Sequence, residues 1–241
     1  MFYYLLNPIM TYNLVLIATA IIPALLLLIR VYRADRLERE SFKMLWKLLK
    51  AGILCSLLAL VSERILSSIL SASISYSSYL YKIILYFGIV AFSEEGSKYY
   101  ALKKESWNSS EFNCMFDGVL YAVFVSMGLA LWENVSYVMN YGFSTAVVRA
   151  LTAIPGHASF GVFMGVFYAA AKSYDLQGNT ERSRYFRILS VVVPALIHGA
   201  YDYIATMETT NNNILFIVFI IVLFAVSFKI IKDVSRNDRY L

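Results

Sequence analysis

This sequence predicts an all-α, polytopic membrane bundle of about seven transmembrane helices. Three observations predict it. Its 241 residues are 59% hydrophobic and only 15% charged, with a mean hydropathy of +0.62. A soluble domain of this length would expose far more charge. Seven apolar windows reach the ~20 residues a helix needs to cross the bilayer core, and the basic residues fall in alternate connections. In lipid a helix satisfies its own backbone, so a single compact helical domain over residues 1–241 is the economical reading.

The predicted spans are 9–30, 48–70, 79–101, 115–139, 146–171, 187–206 and 213–231. The first has no basic stretch before its apolar run and no convincing cleavage site, so it reads as a retained helix rather than a signal peptide. In the second, Glu63 and Arg64 fall toward the outer end as an interfacial pair. The third passes from the apolar run Ile83–Phe92 into Ser93-Glu94-Glu95-Gly96-Ser97-Lys98. The fourth opens on Phe116-Asp117-Gly118, where Asp117 suits a helix cap, and ends on Trp132-Glu133-Asn134. The fifth carries His157 two residues after Pro155, followed by Gly161 and Gly165, a small-residue stripe that lets a neighbouring helix approach closely. The sixth carries His198 four residues after Pro194, with Asp202 one turn further on. The last is apolar, and no motif marks it.

All of the 21 basic residues except Arg64, Lys82 and Arg149 lie in the loops 30–50, 98–114 and 172–187 or in the tail after 228. The Ser- and Ala-rich connection 71–78 and the run Thr209-Thr210-Asn211-Asn212-Asn213 carry almost none. The positive-inside rule then places the N-terminus outside and the C-terminus in the cytoplasm. The net charge of +5 thus follows membrane topology, and the expected surroundings are the lipid bilayer of a cell membrane, with no nucleic acid. Cys55 and Cys114 form neither a disulfide framework nor a zinc-finger pattern.

An ionisable side chain at the bilayer centre costs on the order of 2.5–3.5 kcal/mol on insertion scales. A chain that places several on separate helices is expected to gather them into one protected polar site. Glu94 and Lys98 are four apart and share a face, whereas Glu95 is turned by ~100° toward another neighbour. The competing reading is an interfacial acidic pair with a snorkelling lysine. Both histidines follow prolines, which kink a helix and release a carbonyl. Asp202 shares the face of His198 and either accepts from it or sits at the outer interface. Glu133 and Asn134 are either part of the site or an outer-interface pair. Glu94 falls toward the cytoplasmic side and Glu133 toward the outer side, so bringing them together requires helices tilted by the usual ~20° and offset. Carboxylates, imidazoles and a water are the parts of a hydrolase.

Glu94-Glu95-x-x-Lys98, Phe116-Asp117-Gly118 through Glu133-Asn134, His157 with Gly165, and His198-x-x-Tyr201-Asp202 together resemble the PrsW family of intramembrane proteases. That family belongs to the superfamily that includes the type II CAAX prenyl endopeptidases. The resemblance covers a motif-bearing core of roughly 90–203. Phe124 and Met127 make the 116–128 stretch bulkier than the family pattern. The resemblance implies cleavage of a peptide bond in a membrane-anchored protein with a single transmembrane helix, typified by an anti-sigma factor. It also implies a catalytic glutamate at Glu94 or Glu95. One of these would activate a water, with His157 and His198 positioning it or steadying the oxyanion. Lys98, Glu133, Asn134 and Asp202 would support them: Lys98 by holding the pair, Asn134 as an oxyanion donor, Glu133 as a second acid and Asp202 by orienting His198. No cofactor is required by this scheme. A zinc version would use His157, His198 and one of Glu94, Glu95 or Glu133, although no His-Glu-x-x-His helix is present. The rival readings are a prenyl-protein endopeptidase, a proton-coupled transporter and an inactive relative that binds without cutting.

Overall fold

The computed structural model describes residues 8–207 and 210–241; the Thr209 end of the polar connection lies outside them. The helices are α1 (Pro8–Tyr32), α2 (Phe42–Ser73), α3 (Tyr79–Ile83), α4 (Ala91–Ser106), α5 (Met115–Tyr141), α6 (Phe143–Leu151), α7 (Ala153–Leu176), α8 (Thr180–Ala205) and α9 (Thr210–Arg236). The only β pairing among the described residues is an isolated bridge between Cys114 and Tyr240. Six helical stretches are long and apolar enough to cross a membrane unaided: Thr11–Tyr32, Phe42–Ser73, Met115–Tyr141, Phe143–Leu176, Thr180–Ala205 and Asn213–Arg236. The protein is therefore a multi-pass membrane protein.

The third predicted span differs in an instructive way. It is one helical passage from Tyr79 to Ser106, but α3 and α4 are joined through a π-helical stretch, Ile84–Val90. Its second half holds Glu94, Glu95, Lys98, Lys103 and Lys104, too much charge for a span of its own. A π turn changes the angular register of the residues beyond it and recurs at functional sites; here it immediately precedes the acidic pair. Phe87, inside it, packs on Gly199 of α8, where an added Cβ would lie 2.9 Å from the Phe87 Cα.

The fifth predicted span is also broken. The helix stops at Thr152, whose φ of −122° and ψ of −67° are not helical, and restarts as α7. Pro155 therefore sits in the first turn of α7, where its missing N–H has no helical acceptor to lose. It starts a helix rather than kinking one, so His157 stands near a helix N-terminus and not beside a mid-span bend. Pro194, in contrast, lies inside α8, and Pro23 inside α1.

α5 is the central helix. Its most apolar stretch is 78% buried, against 22% for α2 and 11% for α9, whose surfaces face outward. Close packing on α5 relies on glycine. A Cβ on Gly165 of α7 would lie 2.4 Å from the Val119 Cα, and one on Gly52 of α2 would lie 2.1 Å from the Val125 carbonyl oxygen. Lipid tails are as apolar as leucine, so association rests on such close van der Waals fit. The chain end then returns to cap α5. Met115 N–H donates to the Arg239 carbonyl, Leu241 N–H to the Asn113 carbonyl, and Phe116 N–H to Asp238 Oδ1. Asp117 Oδ2 accepts from the Asn113 and Cys114 N–H groups, the capping role its position suggests.

Candidate active site

Four helices bring their ionisable residues to one place. Lys98 of α4 is its centre. The side chain is completely buried, and its Nζ donates to Glu94 Oε2 at 3.1 Å, to Glu95 Oε1 at 2.8 Å and to His157 Nδ1 at 3.2 Å. All three ammonium protons are thus used. Glu94 shares the Lys98 face as its spacing predicts, but Glu95, expected to turn toward another neighbour, binds the same ammonium, because positions three apart also lie side by side on a helix.

His157 enters from the first turns of α7. Its Nε2 lies 3.0 Å from Glu133 Oε2. A carboxylate only accepts, so Nε2 carries the proton and Nδ1 takes the hydrogen bond from Lys98. His157 is fixed further by its own carbonyl, which accepts from Ser126 Oγ of α5 at 2.6 Å. His198 comes from α8, where Nδ1 lies 2.9 Å from Glu95 Oε1 and Nε2 lies 3.4 Å from Asp202 Oδ2. The one-turn spacing from His198 to Asp202 holds the imidazole between two carboxylates. The two rings are 5.6 Å apart at their centroids. Glu94 Oε2 lies 4.0 Å from Nδ1 of each.

The two glutamates differ. Glu95 has no exposed surface, and its Oε1 is shared by Lys98 and His198 while Oε2 is buried without a partner. Glu94 is held by the single Lys98 hydrogen bond through Oε2, and its side chain retains a 6% exposed surface.

Of the residues singled out from sequence, Glu94, Glu95, Lys98, Glu133, His157, His198 and Asp202 lie in this cluster. Glu133 belongs to it because His157 reaches it from α7. Asn134 is placed otherwise. Its Nδ2 donates to the Ala20 carbonyl of α1, and its Oδ1 accepts from Arg149 Nε. Both ends of the amide are engaged, so it braces α1, α5 and α6 instead of pointing a donor at the carboxylates.

Sequence reasoning missed three neighbours. Arg149 of α6 donates through Nη2 to Glu133 Oε2 at 3.3 Å and lies 4.1 Å from the Tyr137 ring centroid; its place outside the basic loops was the available signal. Phe160 stacks on His198 at 4.6 Å and meets His157 edge-on at 5.8 Å. Nothing in an apolar helix distinguishes that phenylalanine beforehand. Glu63 of α2, read as interfacial, is within electrostatic range of Glu94, Glu133, His198 and Asp202.

Two overlapping donor sets are present. Ligand atoms of Glu94, Glu95 and His198 lie within 4.8 Å of one another, as do those of Glu94, Glu133 and His157. Imidazole nitrogen with carboxylate oxygen is a donor chemistry that zinc accepts, and Asp202 behind His198 is the outer carboxylate such histidines commonly have. The residues fit a divalent metal chemically, with Lys98 supplying positive charge among the same atoms.

Comparison with known proteins finds one family and several relatives. Residues 40–228 match the family described as PrsW family intramembrane metalloprotease. Protease PrsW of Clostridioides difficile is 30% identical over 224 residues, covering 91% of each chain. Protease PrsW of Halalkalibacterium halodurans is 28% identical over 93% of this chain and 99% of its own. Protease PrsW of Bacillus subtilis is 28% identical over 79% and 83%. No solved structure matches. A family match that spans all the helices bearing the polar cluster, with relatives aligned over most of their length, places the chain in the PrsW family of intramembrane proteases.

Proposed function

We propose that this single-domain protein cleaves a peptide bond in a membrane-anchored substrate with one transmembrane helix, and that Glu94 activates the attacking water. The basic end of the bundle faces the cytoplasm in this reading. The observation that carries it is the difference between the glutamates. Glu95 is enclosed between Lys98 and His198, whereas Glu94 has one hydrogen bond and the only exposed edge of the pair.

Glu94 takes a proton from water as the water oxygen bonds to the scissile carbonyl carbon. His157 and His198, whose Nδ1 atoms each lie 4.0 Å from Glu94 Oε2, flank that carboxylate and position the water beside it in a site largely closed to solvent. Glu94 then passes the proton to the amide nitrogen as the C–N bond breaks. Lys98 positions both carboxylates, and Asp202 and Glu133 orient the two rings. If a zinc ion is bound, one of the two donor sets, Glu94, Glu95 and His198 or Glu94, Glu133 and His157, would hold it, and it would supply Lewis-acid polarisation of the carbonyl and a more acidic water. The family description and the two donor sets support that second reading.

The test is cleavage of purified single-span proteins, including a membrane-anchored anti-sigma factor. Glu94→Gln is expected to reduce turnover at least about a hundredfold, the scale of one general base, with the bundle still folded. Full activity in Glu94→Gln would refute the assignment. Activity lost to a chelator and restored by zinc would move the chemistry to the metal reading.

A further inference from the structure

The face of α7 opposite the polar cluster lines a cavity. It is a groove of about 770 Å³ between α1 and α9, with α7 as its floor. Its floor residues, Pro155, Ala158, Ser159 and Val162, form one helical stripe. At 100° per residue, His157 lies roughly 150° around the helix from the centre of that stripe. The groove therefore does not open onto the glutamates. One end is apolar, with Leu26 and Leu27 from α1 and Phe224 from α9.

Its other end is strongly basic. Arg30, Arg33, Arg36, Lys232 and Arg236 line it, and no acidic residue does. Among the described residues none of these five forms an ion pair; Arg30 merely covers the Phe228 ring at 5.2 Å. Basic residues at helix ends are ordinary in membrane proteins. Five of them converging unpaired on one groove between two helices are not. A further observation points to a ligand. Ser227, on the wall between the basic and apolar parts, is 4% exposed, and its hydroxyl has no hydrogen-bond partner. It lies five residues before Lys232, about 7.5 Å along the helix axis.

We propose that this groove binds an anionic glycerophospholipid from the leaflet at the basic end. The phosphate lies among Arg33, Arg36 and Lys232, an ester oxygen accepts from the Ser227 hydroxyl, and an acyl chain lies along α7 between Leu26 and Phe224. The order phosphate, ester, hydrocarbon is the order of polarity the groove presents. Basic pockets between transmembrane helices recognise anionic headgroups by this chemistry. A peptide span would satisfy the apolar part but would leave the five cations and Ser227 unanswered.

The experiment is native mass spectrometry of the full chain in detergent with dioleoyl phosphatidylglycerol or dioleoyl phosphatidylcholine. The expected result is roughly fivefold or greater preference for phosphatidylglycerol, the scale of one lost basic contact or more. The triple variant Arg33→Gln, Arg36→Gln, Lys232→Gln should abolish the preference. A control triple on α2, Lys43→Gln, Lys47→Gln, Lys50→Gln, removes the same charge and should keep it. Ser227→Phe, which fills the groove without changing charge, should lower retention as well; circular dichroism and elution profile establish that each variant is folded. Equal retention of the two lipids, equal loss in the control, or complete displacement by inorganic phosphate would each overturn the proposal. So would a photocrosslinker at position 224 that captures a single-span substrate in place of lipid.

Discussion

Lys98 shows how a cluster of acids survives inside an apolar bundle. Its ammonium lies within 3.2 Å of two carboxylates and an imidazole, so its positive charge and three protons answer demands that solvent cannot meet. Removing one partner of a buried ion pair typically costs 3–5 kcal/mol, because the remaining charge is left uncompensated. Lys98→Met is therefore expected to lower the unfolding temperature of the detergent-solubilised protein by roughly 6–20 °C, at 2–4 °C per kcal/mol for a chain of this size. Glu95→Gln in the same chain should return part of that loss by removing the charge Lys98 balanced. A double variant no more stable than Lys98→Met alone would show that the pair is not what holds the cluster. The individual residues were legible because an acid or a histidine stands out against an apolar background. Phe160 did not, since its role comes from the rings it touches and not from its chemistry alone.

Helix contacts decide whether those residues meet. α7 carries His157, and its register against α5 is set where Gly165 and Gly161 touch the α5 backbone. A Cβ at Gly165 would fall 2.4 Å from the Val119 Cα and 2.5 Å from the Gly118 carbonyl oxygen. Neither atom belongs to a flexible side chain, so the helices must separate. Overpacking of this kind costs typically 1–3 kcal/mol. Gly165→Val should destabilise by about that amount and also reduce cleavage, because moving α7 draws His157 away from Lys98 and Glu133. Gly178→Ala, at a loop position outside this contact, serves as a strain control for the assay, since its φ of +74° disfavours a side chain; it should affect stability without a matching change in kcat. Cleavage unaltered in a folded Gly165→Val protein would argue that the register is not critical. The glycine stripe was readable because its four-residue spacing is a local property. The break at Thr152 and the π turn before Glu94 were not, because hydropathy continues through both and only packing against α8 and α5 fixes the local geometry.

The basic end of the bundle is closed by segments far apart in sequence. The α1–α2 loop, the start of α5 and the C-terminal tail meet there. Ser235 Oγ donates to the Ala34 carbonyl, and the Tyr121 hydroxyl donates to Glu40 Oε2. Hydropathy could outline the seven passages, but it carries no signal for how these ends tie together. Two loop carboxyls are harder to ionise in this setting. Burial pushes Asp35 up to about 6, with Asp238 adding to the effect, and burial likewise pushes Glu40 up to about 7 against the Tyr121 hydrogen bond. A carboxyl raised in the folded state stabilises fully below its unfolded value, and that stability is lost as pH rises through the folded value. For Asp35 the loss runs from 3.8 to about 6, and for Glu40 from 4.5 to about 7. Thermal unfolding in detergent should therefore move to lower temperature between about pH 3.5 and pH 8. Asp35→Asn, neutral at every pH, should remove part of that slope, raising the midpoint at pH 8 by about 2–4 °C per kcal/mol of relieved penalty and changing it little at about pH 3.5, below the unfolded value of 3.8. The same slope in Asp35→Asn and wild type would place the pH sensitivity elsewhere. The direction matters for the fold, because protonation at this end tightens the junction that joins α1, α2, α5 and the chain terminus, while the carboxylates that serve the polar cluster lie at a distance from it.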